Sequence, residues 1–266
     1  IIYGGIAIFA NAGSNILNFI RLRKLINFKK VESYSFLVHI RPILVFFAQS
    51  VAITVYTNLD TVMLGFMQSD IEVGYYNAAI KIKTILLSLV TSLGTVLLPR
   101  LSYCIQKNDK IQFQTLISKS IRFVFIIALP LTIFFILFAK ETLIVLSGRD
   151  FIGATLAMQI ITPTILLIGL SNITGIQILT PLGKEKFVVY SVTFGAILDL
   201  IVNYICIPRL GAAGASLGTL IAEFSVLAVQ IMYTSKQLHE VKCGFKIFKI
   251  IISCLFRSEE RRVGKE

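Results

Sequence analysis

The sequence predicts an all-α bundle of transmembrane helices, and three observations carry this prediction. Seven apolar stretches are each roughly twenty residues long, the length that crosses a bilayer. Hydrophobic residues make up 56% of the chain and charged residues only 15%, with a mean hydropathy of +0.82, which is too apolar for the surface of a soluble domain. Alternate loops together carry 15 Lys and Arg residues against 3 in the others, and basic loops stay in the cytoplasm.

Single apolar stretches of this length satisfy their backbone hydrogen bonds as helices. Barrel strands are shorter and alternate polar with apolar residues, which these stretches do not. Four prolines lie in or at the ends of spans, where they can kink helices: Pro99, Pro130, Pro163 and Pro181. The predicted spans are 1–20, 42–66, 74–98, 119–139, 153–181, 187–207 and 210–233.

The segments outside these spans predict how the chain is organised. The basic connection 21–41 is the longest and most polar, so we expect it to separate two helical bundles. The chain opens on Ile1 inside an apolar stretch without an initiating Met, which predicts a piece of a longer protein. Residues 234–256 are predicted to be a cytoplasmic loop and a truncated helix. The abrupt change of composition at 257–266 predicts a non-native tail.

The third predicted span carries a polar stripe at intervals of three and four residues, which places its members on one helix face. The stripe either packs against other helices, where Ser and Thr are common, or lines a wet cavity. Lys81 favours the cavity, because a charge near the membrane centre costs about 2.5–3.5 kcal/mol. Lys83 points about 200° away and is expected at a flank. The stripe consists of Asn77, Lys81, Thr84, Ser88, Thr91 and Thr95.

The second predicted span places Gln49, Tyr56 and Asp60 on one face. In an antiparallel hairpin, Asp60 and Lys81 lie at nearly equal depth. Two interpretations stay open: the two residues form an ion pair that lets both charges tolerate the bilayer, or Asp60 is a proton or sodium site whose occupancy competes with Lys81.

The sixth and seventh predicted spans carry further acids on polar faces. Glu223 lies about 20 Å into its span at ~1.5 Å per residue, so it is either paired, protonated or exposed to water, and a role in coupling or substrate passage is the favoured interpretation. A ridge of Gly214, Gly218 and Ala222 predicts close helix contact. The polar faces consist of Ser191, Gly195, Asp199 and Asn203 in the sixth span, and of Ser216, Thr219, Glu223 and Gln230 in the seventh.

Several function classes are disfavoured by the sequence. His39 and His239 have no Cys, Asp or Glu at metal-ligand spacing, the four cysteines show no paired spacing, and no phosphate-binding loop appears. We therefore expect no cofactor, no metal centre and no ATP hydrolysis. The net charge of +12 does not predict nucleic-acid binding, because most basic residues lie in short loops and form no basic surface.

Several short motifs follow one another along the chain: His39–Arg41–Pro42, Asn58–Leu59–Asp60, the run from Val73 to Ile80, Leu98–Pro99–Arg100–Leu101–Ser102 and the run from Ile207 to Ser216. Their order resembles that in bacterial Wzx-type polysaccharide flippases of the MOP superfamily. The resemblance implies two six-helix lobes with an alternating-access cleft, in which 1–20 is the last helix of the N-terminal lobe and 42–233 is the whole C-terminal lobe.

The resemblance implies a multi-pass protein of the bacterial inner membrane that moves an undecaprenyl-pyrophosphate-linked oligosaccharide to the outer leaflet. It also implies coupling to H⁺ or Na⁺, and a glycan polymerase and chain-length regulator as partners. Lys81 would contribute to a cationic cavity, although Asp60, Asp199 and Glu223 depart from a strongly basic one. The transport-pathway residues predicted from this and the helix faces are Gln49, Tyr56, Asp60, Asn77, Lys81, Thr84, Ser88, Asp199, Asn203 and Glu223.

Two alternatives remain open from the sequence. A cation-coupled multidrug exporter of the same superfamily, similar to the MATE exporters, would use Asp60 and Glu223 to bind protons and cations. A membrane-embedded polysaccharide polymerase or acyltransferase would need a catalytic face, commonly in a large outer loop. The longest predicted outer loop is only 140–152, which disfavours the enzyme.

Overall fold

The computed structural model describes residues 58–240 together with short pieces at 9, 12–16, 18–19, 21–22 and 40. These described residues form helices and turns and contain no strand, which confirms the all-α class. The chain divides into two compact units, Ile1–Ile53 and Thr54–Glu266. The predicted span 1–20, most of 42–66, the linker 21–41, the truncated helix and the tail 257–266 lie largely or wholly outside the described residues.

The described part of the second unit contains eight α-helices, a 3₁₀-helix at Arg149–Ala154 and a π-helix at Ile173–Leu179. Four helices are long and apolar enough to span a membrane, and a bent pair at 149–179 makes a fifth candidate. They correspond to the last five predicted spans, and they confirm a multi-pass membrane protein. The α-helices are α1 at 58–67, α2 Asp70–Gln106, α3 Lys110–Leu137, α4 Ala139–Leu146, α5 Thr155–Ile161, α6 Thr164–Asn172, α7 Glu185–Leu210 and α8 Ala212–Glu240.

Two predicted loops are mostly helical in the structure. The segment 99–119 was expected to be a loop, but α2 runs to Gln106 and α3 begins at Lys110. Only a tight turn separates them, and the Asp109 side chain caps α3 by accepting from the backbone N–H of Gln112 at 3.0 Å. Basic residues past the apolar window do not break a helix, so both helices extend beyond it. The expected loop 140–152 contains most of α4 and the start of the 3₁₀-helix.

The bent pair confirms the kink expected at Pro163. Its two halves, Arg149–Ile161 and Thr164–Leu179, are inclined by 42°, because proline has no N–H and clashes with the preceding turn. The second half ends as a π-helix, in which the Thr180 N–H donates to the Gly175 carbonyl at 3.0 Å. Such π segments are often found at functional sites.

Helix α8 lies at the centre of the second unit. In its most apolar window 56% of residues are buried, against 22–24% in α2, α3 and α7. Helices α7 and α8 form an antiparallel hairpin in which Gly214 lies against the Cys206 carbonyl and Gly218 against Asn203. The predicted small-residue ridge is therefore confirmed as a helix contact. Large exposed apolar side chains such as Phe66 and Met232 cover the outside, as a lipid-facing surface requires.

Candidate functional site

Asp60 is the centre of a buried polar cluster between four helices. Its Oδ1 accepts from Asn203 Nδ2 at 2.7 Å, and its Oδ2 accepts from Thr219 Oγ1 at 3.0 Å and from the Tyr76 hydroxyl. These side chains come from α1, α2, α7 and α8. We call Asp60, Tyr76, Asp199, Asn203 and Thr219 the Asp60 cluster. Its members meet across about 140 to 160 residues of sequence.

Asp199 places a second carboxyl in the cluster. Its carboxyl is within hydrogen-bonding contact of the Asp60 carboxyl, and two carboxylates so close need a shared proton or another positive charge between them. Because the amide nitrogen of Asn203 faces Asp60, its Oδ1 points the other way. Within the described part of the chain, Asn203 Oδ1 and Asp199 Oδ1 are buried and receive no hydrogen bond.

Gly218 lies directly beside these two oxygens. A Cβ at Gly218 would lie 2.0 Å from Asn203 Oδ1 and 2.8 Å from Asp199 Oδ1. The missing side chain therefore lets both oxygens approach the α8 backbone. Buried polar atoms are normally hydrogen-bonded, so two unpaired oxygens beside a carboxyl pair are unusual, and carboxyl and amide oxygens are the ligands that hard cations prefer.

The helix faces that supply this cluster follow the predicted patterns. On α7, the predicted face at steps of four is buried at Ser191, Gly195, Asp199 and Asn203, and Ile207 continues it. On α8, Ser216 and Gln230 are buried and Thr219 and Glu223 half-buried. The predicted role of these residues in a transport pathway remains a proposal, because the geometry shows where they lie and not what passes them.

The two lysines of α2 lie on different sides of the helix, and Lys83, not Lys81, is near the acids. Lys81 is exposed and Asp60 is hydrogen-bonded to Tyr76, Asn203 and Thr219, so the structure does not favour the ion-pair interpretation. Lys83, expected at a flank, is half-buried and interacts electrostatically with Glu223, Asp60 and Asp199. It lies seven residues after Tyr76 and hence on the same helix face. This seven-residue spacing from Tyr76 is the sequence feature that could have placed Lys83 beside the cluster.

The polar stripe of α2 lies on the surface of the described unit. Lys81, Thr84 and Ser88 are exposed and Asn77 half-buried. The Thr84 and Ser88 hydroxyls donate to carbonyls of their own helix, Ile80 at 2.8 Å and Ile85 at 2.7 Å. Among the described helices the stripe is not sealed in packing contacts, so a wet cavity remains the prediction for it. Gln49, Tyr56 and the Thr95 side chain lie outside the described residues.

A second buried polar group joins the π-helix to the α7–α8 hairpin. Thr174 Oγ1 donates to Gln230 Oε1 at 2.6 Å, and Gln230 Nε2 donates to Ser191 Oγ at 3.1 Å. All three side chains are buried. The sequence analysis placed Gln230 and Ser191 on polar faces but gave Thr174 no role, because a single Thr in an apolar run carries little signal. Across residues 58–240, no group of three His, Cys, Asp or Glu is arranged to hold a metal ion.

Comparisons with known proteins point to one family. A family profile described as "Lipid II flippase MurJ" matches residues 17–258. The putative O-antigen transporter of Escherichia coli K12 is 28% identical over 188 residues, which is 70% of this chain and 45% of that protein. An uncharacterised membrane protein of Methanocaldococcus jannaschii is 26% identical over 235 residues, covering 88% and 44%. A probable low-salt glycan biosynthesis flippase of Haloferax volcanii is 24% identical over 164 residues, covering 62% and 34%. The chain thus spans less than half the length of these relatives.

Proposed function

Because the chain belongs to the lipid II flippase MurJ family, we propose that the protein flips an undecaprenyl-pyrophosphate-linked oligosaccharide from the cytoplasmic to the outer leaflet. The family match over residues 17–258 carries this proposal. The relatives named O-antigen transporter and glycan biosynthesis flippase support a surface polysaccharide precursor as the substrate. The protein then works as a transporter in the inner membrane, beside a glycan polymerase and a chain-length regulator.

The α2 stripe is the proposed surface for the lipid-linked head group. Lys81 supplies a positive charge that attracts a pyrophosphate, and the attraction is strengthened between low-dielectric walls. Asn77, Thr84 and Ser88 flank it with polar groups. Their position on the surface of the unit, with hydroxyls already bonded to their own helix, supports contact with a mobile, hydrated substrate.

The Asp60 cluster is the proposed coupling site for H⁺ or Na⁺. Asp60 and Asp199 share a proton, or together with Asn203 Oδ1 and Thr219 Oγ1 they offer oxygen ligands to a sodium ion. The unpaired oxygens above Gly218 support this fit. Lys83 is the neighbouring positive charge that competes for the same acids, with Glu223 as its counter-charge. Acids inside a membrane span typically mark ion pathways of this kind.

Surface glycan and its lipid-linked precursor test the proposal. In cells that lack the protein, we expect the precursor to accumulate on the cytoplasmic leaflet and surface polysaccharide to disappear. The full-length protein restores export, and its Lys81→Ala variant restores less at an equal amount in the membrane. Normal surface polysaccharide without the protein would overturn the proposal.

The buried acids of the Asp60 cluster also suit a cation-coupled multidrug exporter. Uptake of a cationic dye into inverted vesicles containing the full-length protein separates the two functions. We expect no dye transport above that of vesicles without the protein, and dye accumulation that Asp60→Asn abolishes would favour the exporter.

A further inference from the structure

Hydrogen bonds join the turn between α1 and α2 to the turn between α7 and α8. Glu72 Oε2 accepts from the backbone N–H of Ala212 at 2.7 Å. Gln68 Nε2 donates to the carbonyls of Ile207 at 3.0 Å and Pro208 at 3.2 Å. We call these five residues the outer clasp, because the charge of the predicted loops places both turns outside the membrane. The clasp gives the Ala212 N–H and the Pro208 carbonyl a partner at the helix ends, where backbone groups lack intrahelical ones, and it adds a second donor to the Ile207 carbonyl, which already accepts from the Gly211 N–H at 2.9 Å.

The clasp lies directly beyond the Asp60 cluster, on the same four helices. Glu72 is four residues before Tyr76, and Ile207 is four residues after Asn203. At ~1.5 Å per residue these spacings are about 6 Å. Glu72 and Ile207 therefore lie one helical turn closer to the outer membrane surface than the proposed cation site.

The other directions from the cluster are unfavourable for a cation. Toward the cytoplasm, Val226 packs so closely on Gly195 that an added Cβ would lie 2.5 Å from its Cγ2, and the neighbouring Leu227 is buried. Toward the α2 surface lies Lys83, whose positive charge repels a cation. On the clasp side, the half-buried Glu72 supplies a negative charge at the entrance.

The turn that Glu72 holds can be formed only around glycine. Gly211 has φ +54°, and a Cβ on it would lie 2.3 Å from Glu72 Oε2 and 2.6 Å from its Cδ. A side chain at position 211 and a docked Glu72 thus exclude one another. This gives a second, independent way to open the clasp.

We propose that Glu72 is the outer gate of the cation path to the Asp60 cluster. Docked on the Ala212 N–H, its carboxylate closes the gap between the two turns. Released from that N–H, it leaves the gap open and places a negative charge at the entrance. This inference rests on the proposed cation coupling at the Asp60 cluster.

Thiol labelling of the full-length protein tests the gate. Ser216, fully buried and one helical turn below Ala212, becomes the reporter as Ser216→Cys in a background without other cysteines, and a cationic, membrane-impermeant methanethiosulfonate is added from outside. We expect Glu72→Ala to raise the labelling rate at least tenfold and Gly211→Ala to do the same. Glu72→Gln keeps an acceptor oxygen and should label like the parent. The matched control Glu141→Ala, an exposed acid on α4, should also label like the parent.

The labelling rate of each variant is then measured across NaCl concentrations and, at constant choline chloride, across pH, because a cation bound at the Asp60 cluster should slow labelling of the reporter cysteine. Opening a gate raises the labelling rate at every cation concentration and leaves unchanged the concentration that halves the rate. Changing a residue that shapes the cluster shifts that concentration. If the parent, Glu72→Ala and Gly211→Ala are labelled at the same rate, the proposed gate is wrong and the proposed function is unaffected. If neither Na⁺ nor acid slows labelling of the parent, the proposed cation coupling, on which the gate depends, is wrong.

Discussion

Replacing Gly218 by alanine perturbs the Asp60 cluster through a single methyl group. The added Cβ would lie 2.0 Å from Asn203 Oδ1, far below any real contact distance. Asn203 is fully buried, so its amide moves only by giving up the 2.7 Å hydrogen bond to Asp60. The substitution therefore removes a ligand oxygen and a hydrogen bond from the site without changing a charge.

The size of the effect follows from that bond. A hydrogen bond to a charged group contributes about 1.5–3 kcal/mol. Since 1.4 kcal/mol is about a tenfold change in an equilibrium constant, the cation concentration for half-maximal transport should rise roughly 10- to 150-fold. Gly195→Ala is the matched control, because its Cβ meets Val226 and the Ala222 carbonyl and not the cluster. Overpacking there destabilises the fold by about 1–3 kcal/mol but leaves the cation dependence unchanged.

The assay is transport of lipid-linked oligosaccharide in vesicles that contain the full-length protein, measured across NaCl concentrations and across pH. Membrane levels of each variant are matched first. The reasoning is refuted if Gly218→Ala and Gly195→Ala show the same half-maximal concentration.

Four further substitutions probe the surroundings of the cluster. Lys83→Met should lower the half-maximal cation concentration, on the order of tenfold for about 1.4 kcal/mol, because it removes the competing positive charge. Glu223→Gln should raise that concentration, because Lys83 loses its counter-charge and turns to Asp60 and Asp199. Lys81→Ala should reduce the maximal transport rate and leave the cation dependence unchanged. Gln230→Leu should lower the unfolding temperature through a loss of about 1–3 kcal/mol, since it removes the two buried hydrogen bonds to Thr174 and Ser191, and should leave the cation dependence unchanged.

Each of these outcomes can fail separately. Shifts of the same sign for Lys83→Met and Glu223→Gln would contradict the pairing of the two charges. A changed cation dependence in Lys81→Ala would place that lysine in coupling and not on the substrate path. An unaltered unfolding temperature for Gln230→Leu would show that the inner hydrogen bonds contribute nothing to stability.

The sequence predicted which residues share a helix face better than it predicted which residues contact one another. The steps of four on α7 placed Asp199 and Asn203 on one helix face correctly, because helical periodicity is local. The prediction that Lys81 and Lys83 face different ways also agrees with their different exposure, but Lys83 and not Lys81 lies near Asp60. The Thr84 and Ser88 hydroxyls bond to their own helix, so a Ser and Thr stripe in a membrane helix can lie on a surface as readily as in a contact.

The sequence pattern could not predict contacts between segments that are far apart in the chain. Gln68 and Glu72 lie in what looked like a short polar loop, and their partners are 139 or 140 residues away. Only the packing of α1 and α2 against the α7–α8 hairpin brings them together. Asp60 was a candidate for a proton or sodium site, but its hydrogen bonds to Asn203 and Thr219 depend on the same packing.

Cation-dependent stabilisation of the purified full-length protein tests the central claim most directly. A cation that binds only the folded state stabilises it by about 2.7 kcal/mol at one hundred times its dissociation constant. We predict that the unfolding temperature of the parent rises with NaCl against choline chloride, or with acidification. Asp199→Asn should abolish that rise. The same rise in the parent and in Asp199→Asn would contradict the assignment of the Asp60 cluster as the coupling site.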